Sequence, residues 1–412
     1  MTDYVAFALQ FLVAAGLLVS ACYYVASYWC ARKFFSERRV TSGLPDAELP
    51  GVTILKPLKG IEPELFDNLA SFCRQDYPRF QVVFAVADPA DPAIGVVREL
   101  KRSFPQVDIE LVVDSRIYGP NYKVSNLQNG YRVARYDYLV IADSDIRVPP
   151  HYLRTIVADL VRPEVGVVTC AYRARPVGGW PAAVEALFVN TDFTPSVFVA
   201  RVVETTRYAF GATMAVRREV LERIGGFLSL ARYLADDFFL GNLVSRLGFK
   251  VEISPLLVDT YLAVPTWRRL VEHQLRWSRT YRSVRGGSYF ALVLTHGFLW
   301  ALLNLGLHWG DWRAWMVAAG LLGLRLTVAA TVASRFLQVP LRPADLCLIP
   351  LKDLLLSVLW ASAFFGNTVS WSGHRFRVLA RGEMAPVTGG SEGLPLVQKS
   401  EARPKFGTGA ES

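Results

Sequence analysis

Two pairs of carboxylates carry the strongest chemical signal. Asp143-Ser144-Asp145 directly follows the apolar run Tyr138–Ala142, YLVIA. In α/β sheets, ligands collect beyond the carboxyl ends of the strands. Two acids at i and i+2 on such a loop can reach one hard cation, and Mg²⁺ or Mn²⁺ links one or two carboxylates to substrate phosphates. Without a cation the same residues make an ordinary polar turn. The second pair, Asp236-Asp237, opens the helical pattern of YLADDFFLGNLVSRLGF. Acids at that position favour the helix dipole by themselves. Beside a cleft, a carboxylate there can also take a proton from an attacking hydroxyl, as general base. Asp88 ends a further apolar run, VVFAVAD, and Asp91 follows in DPADP. Both either accept hydrogen bonds from a nucleoside or serve the proline turn.

Complementary groups lie elsewhere in the chain. In HQLRW, Arg276 suits a leaving diphosphate and Trp277 suits packing on a sugar or lipid; His273 heads the segment. The neighbouring Arg268, Arg269, Arg279, Arg282 and Arg285 read as a basic collar at a membrane face, attracted to anionic lipid. Lys56 and Lys59 flank Pro57 in LKPLKG, and Asn121, Lys123 and Asn126 follow the Gly119-Pro120 turn. These are candidates for nucleotide contacts, or else solvated loop residues.

Positioning such groups takes a sheet. Val52–Leu55, Gln81–Ala87, Ile109–Val113 and Tyr138–Ala142 read as strands. They alternate with helical patterns at Glu62–Arg74, Ala93–Ser103 and Asn121–Ala134. That alternation predicts βαβ units, an α/β domain and a mainly parallel sheet covered on both faces. The domain is expected over residues 51–287.

The 412 residues are 52% hydrophobic and 20% charged, which excludes a disordered chain and a small disulfide scaffold. The apolar excess sits at the ends. Val5–Trp29 has no charged residue and is long enough to cross a bilayer, so residues 4–30 are expected to be a membrane helix rather than a cleaved leader. Arg32, Lys33, Arg38 and Arg39 follow it, against Asp3 before it, which puts residue 31 onward in the cytosol. Residues 31–50 read as a basic linker. Tyr289–Trp309 and Ala314–Phe336 are expected to be further crossings, with Arg325 either facing protein or snorkelling. Leu346–Trp371 carries Lys352, Asp353 and Pro350 and is expected to be interfacial or re-entrant, completing a membrane region over residues 288–372. Residues 373–412 are expected to be a basic, then disordered, tail in the cytosol, with the disorder from residue 385. The five cysteines show neither zinc nor disulfide spacing.

These motifs, in this order, resemble the ceramide glucosyltransferase family, a membrane branch of the inverting family-2-like glycosyltransferases. The bacterial members, including hopanoid-biosynthesis enzymes, are the most similar. The resemblance runs from about Val52 to Arg377 through LKPLKG, NLASFCRQDYP, DPADPA, PNYKVSNL, DSDIRV, LADDFF and HQLRW, and closes with SWSGHRFRV. It implies a GT-A fold, a UDP-sugar donor, and inverting transfer to a lipid hydroxyl at the cytosolic face of a bacterial inner membrane. It makes Asp88 a nucleotide contact, Asp143 and Asp145 the metal and diphosphate motif, Asp237 the general base, and Arg276-Trp277 the end of a Q/R-x-x-R-W motif. Two features depart from the family pattern. His273 replaces the Gln or Arg that heads that motif, and DSD is fuller than the D-S-G of the animal enzymes.

Two other functions are compatible with parts of the pattern. A processive polysaccharide synthase shares the acidic motifs but needs more membrane segments. A non-catalytic lipid-binding protein would have shed an acidic motif, and all are present. The net charge of +9 lies beside apolar segments, so the expected partner is the bilayer and not nucleic acid.

Overall fold

The computed structural model describes residues 2–37, 45–371 and 373–387. The first helix, α1 (Thr2–Ser36), continues six residues past the expected membrane segment, so the start of the expected linker is helical. Arg38, Arg39 and residues 40–44 lie outside the described residues.

The α/β domain then builds in chain order. Strand β1 (Val52–Pro57), helix α2 (Leu65–Cys73), β2 (Phe80–Val86), α3 (Ala93–Ser103), β3 (Asp108–Val113), α4 (Tyr122–Tyr131) and β4 (Tyr138–Ile141) match the expected alternation, with shorter helices. All six residues of β1 are buried, as a strand covered on both faces requires. The chain continues through β5 (Ile146–Arg147), α5 (Tyr152–Leu160), β6 (Val165–Pro176), α6 (Trp180–Phe188), a π-turn (Val189–Phe193) and α7 (Thr194–Val203). β7 (Met214–Arg217), α8 (Arg218–Arg223), α9 (Asp236–Arg246), β8 (Lys250–Leu262) and α10 (Trp267–Val284) complete the domain.

The sheet order is β3-β2-β1-β4-β7-β6-β8-β5. β3, β2, β1 and β4 are mutually parallel. β7 runs antiparallel between β4 and β6, and β5 runs antiparallel to β8. The sheet is therefore mixed in its second half. Only the first half was readable as alternating strands and helices. β4 ends at Ile141, so Asp143 and Asp145 leave its carboxyl end.

The membrane region follows as α11 (Gly286–Ala291), α12 (Gly297–Leu307), α13 (Trp312–Thr331) and α14 (Pro343–Ser362). Among the described residues two helices are long and apolar enough to cross a membrane, Tyr4–Ser36 and Trp312–Phe336. The expected crossing at 289–309 consists of two helical pieces bent by 56° at His296, and this pair counts as a third span if taken as one. α14 does not pass that test. It carries Lys352 and Asp353, both buried against other charges.

The start of the expected tail is ordered. β9 (Thr368–Trp371), β10 (His374–Val378) and β11 (Met384–Pro386) form a three-stranded antiparallel sheet, and residues 388–412 lie outside the described residues. Alternation in HRFRV places Phe376 and Val378 inward and the arginines outward, a period of two that the run of basic residues obscured.

Candidate active site

Three loops at the carboxyl end of the sheet bring the acidic motifs together. Gly211 joins two of them. Its carbonyl accepts from the Asp143 amide at 3.2 Å, and its own amide donates to Asp237 Oδ2 at 2.9 Å. A Cβ at this position would lie 2.6 Å from Asp143 Oδ2, so any side chain here would displace the Asp143 carboxylate. Lys123, in the first turn of α4, links the pairs from a third direction. Its Nζ lies 2.6 Å from Asp143 Oδ1 and 3.3 Å from Asp236 Oδ2. Burial works against its charge, but Asp143, Asp236 and Asp237 hold it well above the usual lysine range.

The two members of the acidic pair have different partners. Asp236 is buried, ion-paired to Lys123, and accepts from Asn121 Nδ2 at 3.3 Å. Asp237 accepts from the amides of Gly211 and Phe238, at 2.9 and 2.7 Å. Burial, then the Asp236 charge, pushes its carboxyl up to about 6. A carboxylate tuned toward neutrality is better matched to base work than one held by an ammonium.

Asp143 and Asp145 form the other pole. Asp145 accepts from Thr260 Oγ1 at 2.7 Å. Burial, with Asp143 and Glu62, pushes Asp145 up to about 6. Ser144 Oγ donates to Glu62 Oε2 at 2.9 Å, which places a third carboxylate beside the motif. Among the described residues no group of three or more His, Cys, Asp or Glu side chains forms a complete metal cage. Two carboxylates supply hard oxygen ligands that fit Mg²⁺ or Mn²⁺, which keeps positions for phosphate and water.

Arg276, partly buried on α10, makes no side-chain hydrogen bond or ion pair among the described residues. Burial holds its pKa below the usual range, against the charges of Glu185, Asp143 and Asp237. An arginine in this position is available to an anion. Trp277 beside it lies 5.8 Å from Phe193, which stacks on Tyr172 at 4.9 Å.

The remaining candidates are placed differently. Lys56 is fully buried under the Asp143 loop, donates to the Asp143 carbonyl and sits over the Phe72 ring at 3.9 Å. Burial brings it down to about 7 despite Asp143 and Asp145. It supports the loop rather than standing free in the cleft. Asn121 caps α4 by accepting from the Val124 amide at 3.0 Å, and Asn126 donates to the Leu58 carbonyl at 3.3 Å. Asp91 accepts from the amides of Gly60 and Ala93, tying the β1 loop to α3. Asp88 is exposed at the end of β2 and accepts from the Ala90 amide at 2.8 Å. His273 turns to Glu185, 2.6 Å from Nδ1 to Oε1.

The family model described as glycosyl transferase family 21 matches residues 12–384. The chain belongs to that family. Ceramide glucosyltransferase 1 of Caenorhabditis elegans is 29% identical over 243 residues, covering 58% of this chain and 52% of the relative. The ceramide glucosyltransferase of Komagataella phaffii is 43% identical over 118 residues, covering 28% of this chain and 23% of the relative. The chain thus spans about half the length, or less, of these curated relatives. A mannosyltransferase from Pyrobaculum calidifontis, solved with GDP-Man and Mn²⁺, aligns over 86% of this chain and 99% of its own at 21% identity, with a TM-score of 0.49. In this family-21 chain the acidic loops gather at one end of the mixed sheet.

Sequence reasoning missed Glu185, Thr260 and Gly211. Glu185 left a signal, as the one charged residue between Arg175 and Asp192. Thr260 and Gly211 left none, because their roles depend on strands β8 and β7 reaching the site from far along the chain.

Proposed function

We propose that this family-21 chain is an inverting membrane glycosyltransferase. It moves a sugar from a UDP-sugar to a hydroxyl of a membrane lipid, ceramide or a hopanoid-type polyol. The observation that carries the reading is the Asp143–Lys123–Asp236 chain of charges beside a separately tuned Asp237 and an Arg276 with no side-chain hydrogen bond or ion pair among the described residues.

Asp237 accepts the proton of the acceptor hydroxyl as that oxygen attacks the anomeric carbon. The C–O bond to the diphosphate breaks in the same displacement, and its electron pair leaves with UDP. One displacement inverts the anomeric centre, so no covalent enzyme intermediate and no nucleophilic Ser or Cys is involved. Arg276 and Lys123 bind the phosphate oxygens and stabilise the charge that develops there. Asp143 and Asp145 would hold Mg²⁺ or Mn²⁺, which supplies further charge neutralisation when bound. Asp88, exposed beyond the carboxyl end of β2, contacts the nucleoside, and Trp277 packs on the acceptor.

The location follows from the same elements. Trp267, Arg268 and Arg269 open α10 with their side chains exposed, an arrangement suited to the interface of a bilayer with anionic lipid. The reading puts the catalytic domain on the cytosolic face of a bacterial inner membrane. The supporting experiment is transfer of labelled sugar from a UDP-sugar to extracted lipid by isolated membranes. Wild type transfers and Asp143→Ala does not. Full transfer by Asp143→Ala rejects the assignment, and a wild-type rate unchanged by a chelator rejects the metal.

A further inference from the structure

Glu185 is fully buried within the apolar helix α6. Its Oε1 faces His273 Nδ1 at 2.6 Å and accepts from Gln274 Nε2 at 2.9 Å. Its Oε2 is buried with no partner among the described residues. A carboxylate in this position keeps the imidazole proton on Nδ1. With the proton on Nδ1, Nε2 is the ring's acceptor nitrogen. The His273 side chain is 29% exposed, and its Nε2 has no partner among the described residues. Trp277 lies one turn further along α10, its ring 5.1 Å from the imidazole. Arg276, next to Trp277 on α10, interacts electrostatically with both Glu185 and Asp237, so the pair and the general base share a charged neighbour. α6 and α10 pack through Val184, Phe188 and Leu270 against Leu359 of α14, so the pair sits where the membrane helices meet the catalytic domain.

A lone pair backed by a carboxylate is a poor partner for diphosphate oxygens, which need donors. It is a good partner for a hydroxyl. We propose that the His273–Glu185 pair is an acceptor-reading site, in which Nε2 accepts a hydrogen bond from a second hydroxyl close to the one that attacks. The substrate class is therefore a lipid whose head carries two neighbouring hydroxyls, a feature that ceramide and hopanoid polyols share. The inference rests on the glycosyltransferase reading above and adds a specificity determinant to it. Glu185 acts through His273 and is a positioning residue.

The test compares matched acceptors in membranes containing the full chain. Ceramide and a hopanoid polyol are each paired with an analogue lacking the second hydroxyl, and kcat/KM is measured for each lipid with a UDP-sugar. Wild type prefers the two-hydroxyl member by about tenfold, the scale of one hydrogen bond. His273→Leu removes that preference by lowering kcat/KM for the two-hydroxyl lipid about tenfold. It leaves the analogue within about twofold and the KM for the UDP-sugar unchanged. Glu185→Gln moves the preference in the same direction by less. His273→Gln is read by the same criterion if the leucine variant fails to accumulate. Equal loss on both members of a pair, or a raised KM for the UDP-sugar with the preference intact, overturns the acceptor role alone. A wild type that glycosylates none of the four lipids overturns the parent reading and this inference with it.

Discussion

In the membrane block, Arg325 of α13 lies 3.0 Å from Asp353 of α14 and 2.8 Å from Asp192 of the π-turn. Lys352 pairs with the same two carboxylates. Two cations thus meet two carboxylates, and Arg325 also donates to the Thr191 carbonyl at 2.9 Å. At the strand ends the sums differ. Asp143, Asp236 and Asp237 act on Lys123, Asp145 and Glu62 lie beside them, Arg276 stands within their field, and Lys56 is committed beneath the loop. Two of those carboxyls are pushed up to about 6, whereas the membrane quartet is neutral as a set. A buried charge with a partner holds helices together, while an excess of one sign in a cleft waits for a ligand.

The comparison can be broken at its strongest point first. Asp237→Asn should lower lipid glycosylation by about 10²–10⁴-fold, the range for loss of a general base, without lowering thermal stability. Arg325→Leu acts on the balanced cluster and should cost about 3–5 kcal/mol, because it leaves two carboxylates sharing Lys352 alone. Replacing all four members with apolar residues should restore most of that, as read by thermal unfolding in detergent. Gly211→Ala sharpens the contrast by moving Asp143 with no change of charge. A displacement of that kind should cost up to about 10²-fold in transfer while the protein remains folded.

The pH response should differ between the regions too. Transfer should fall about tenfold per unit once pH drops below about 6, where Asp237 takes up its proton. The stability effect has the opposite sign. Asp145 and Asp237 bind protons more tightly folded than unfolded, so stability decreases as pH rises from about 4 to about 6 and then levels. Added Mg²⁺ or Mn²⁺ should raise the melting temperature more at pH 7 than at pH 5.

Much of the fold was legible in the sequence because β1 to β4 are near-continuous apolar runs separated by helical patterns. The acidic motifs were legible because a strand end makes a short carboxylate pair meaningful. The antiparallel strand β7 was not, since no local pattern reports which neighbour a strand will choose. The β9–β11 sheet was hidden by its charges, and the break at His296 by an unbroken apolar composition. Asn121 and Lys56 were read as ligand contacts because a buried polar group that serves the backbone looks the same in sequence as one that serves a substrate. His273 shows the converse. Its role depends on Glu185, which lies 88 positions away.

The central claim is that Asp237 is the base in sugar transfer to a lipid. It is tested most directly by mass spectrometry of lipids from a host expressing wild type or Asp237→Asn at equal membrane levels. The account predicts a new glycolipid with wild type and none with the variant. The same glycolipid in equal amount from both would contradict it.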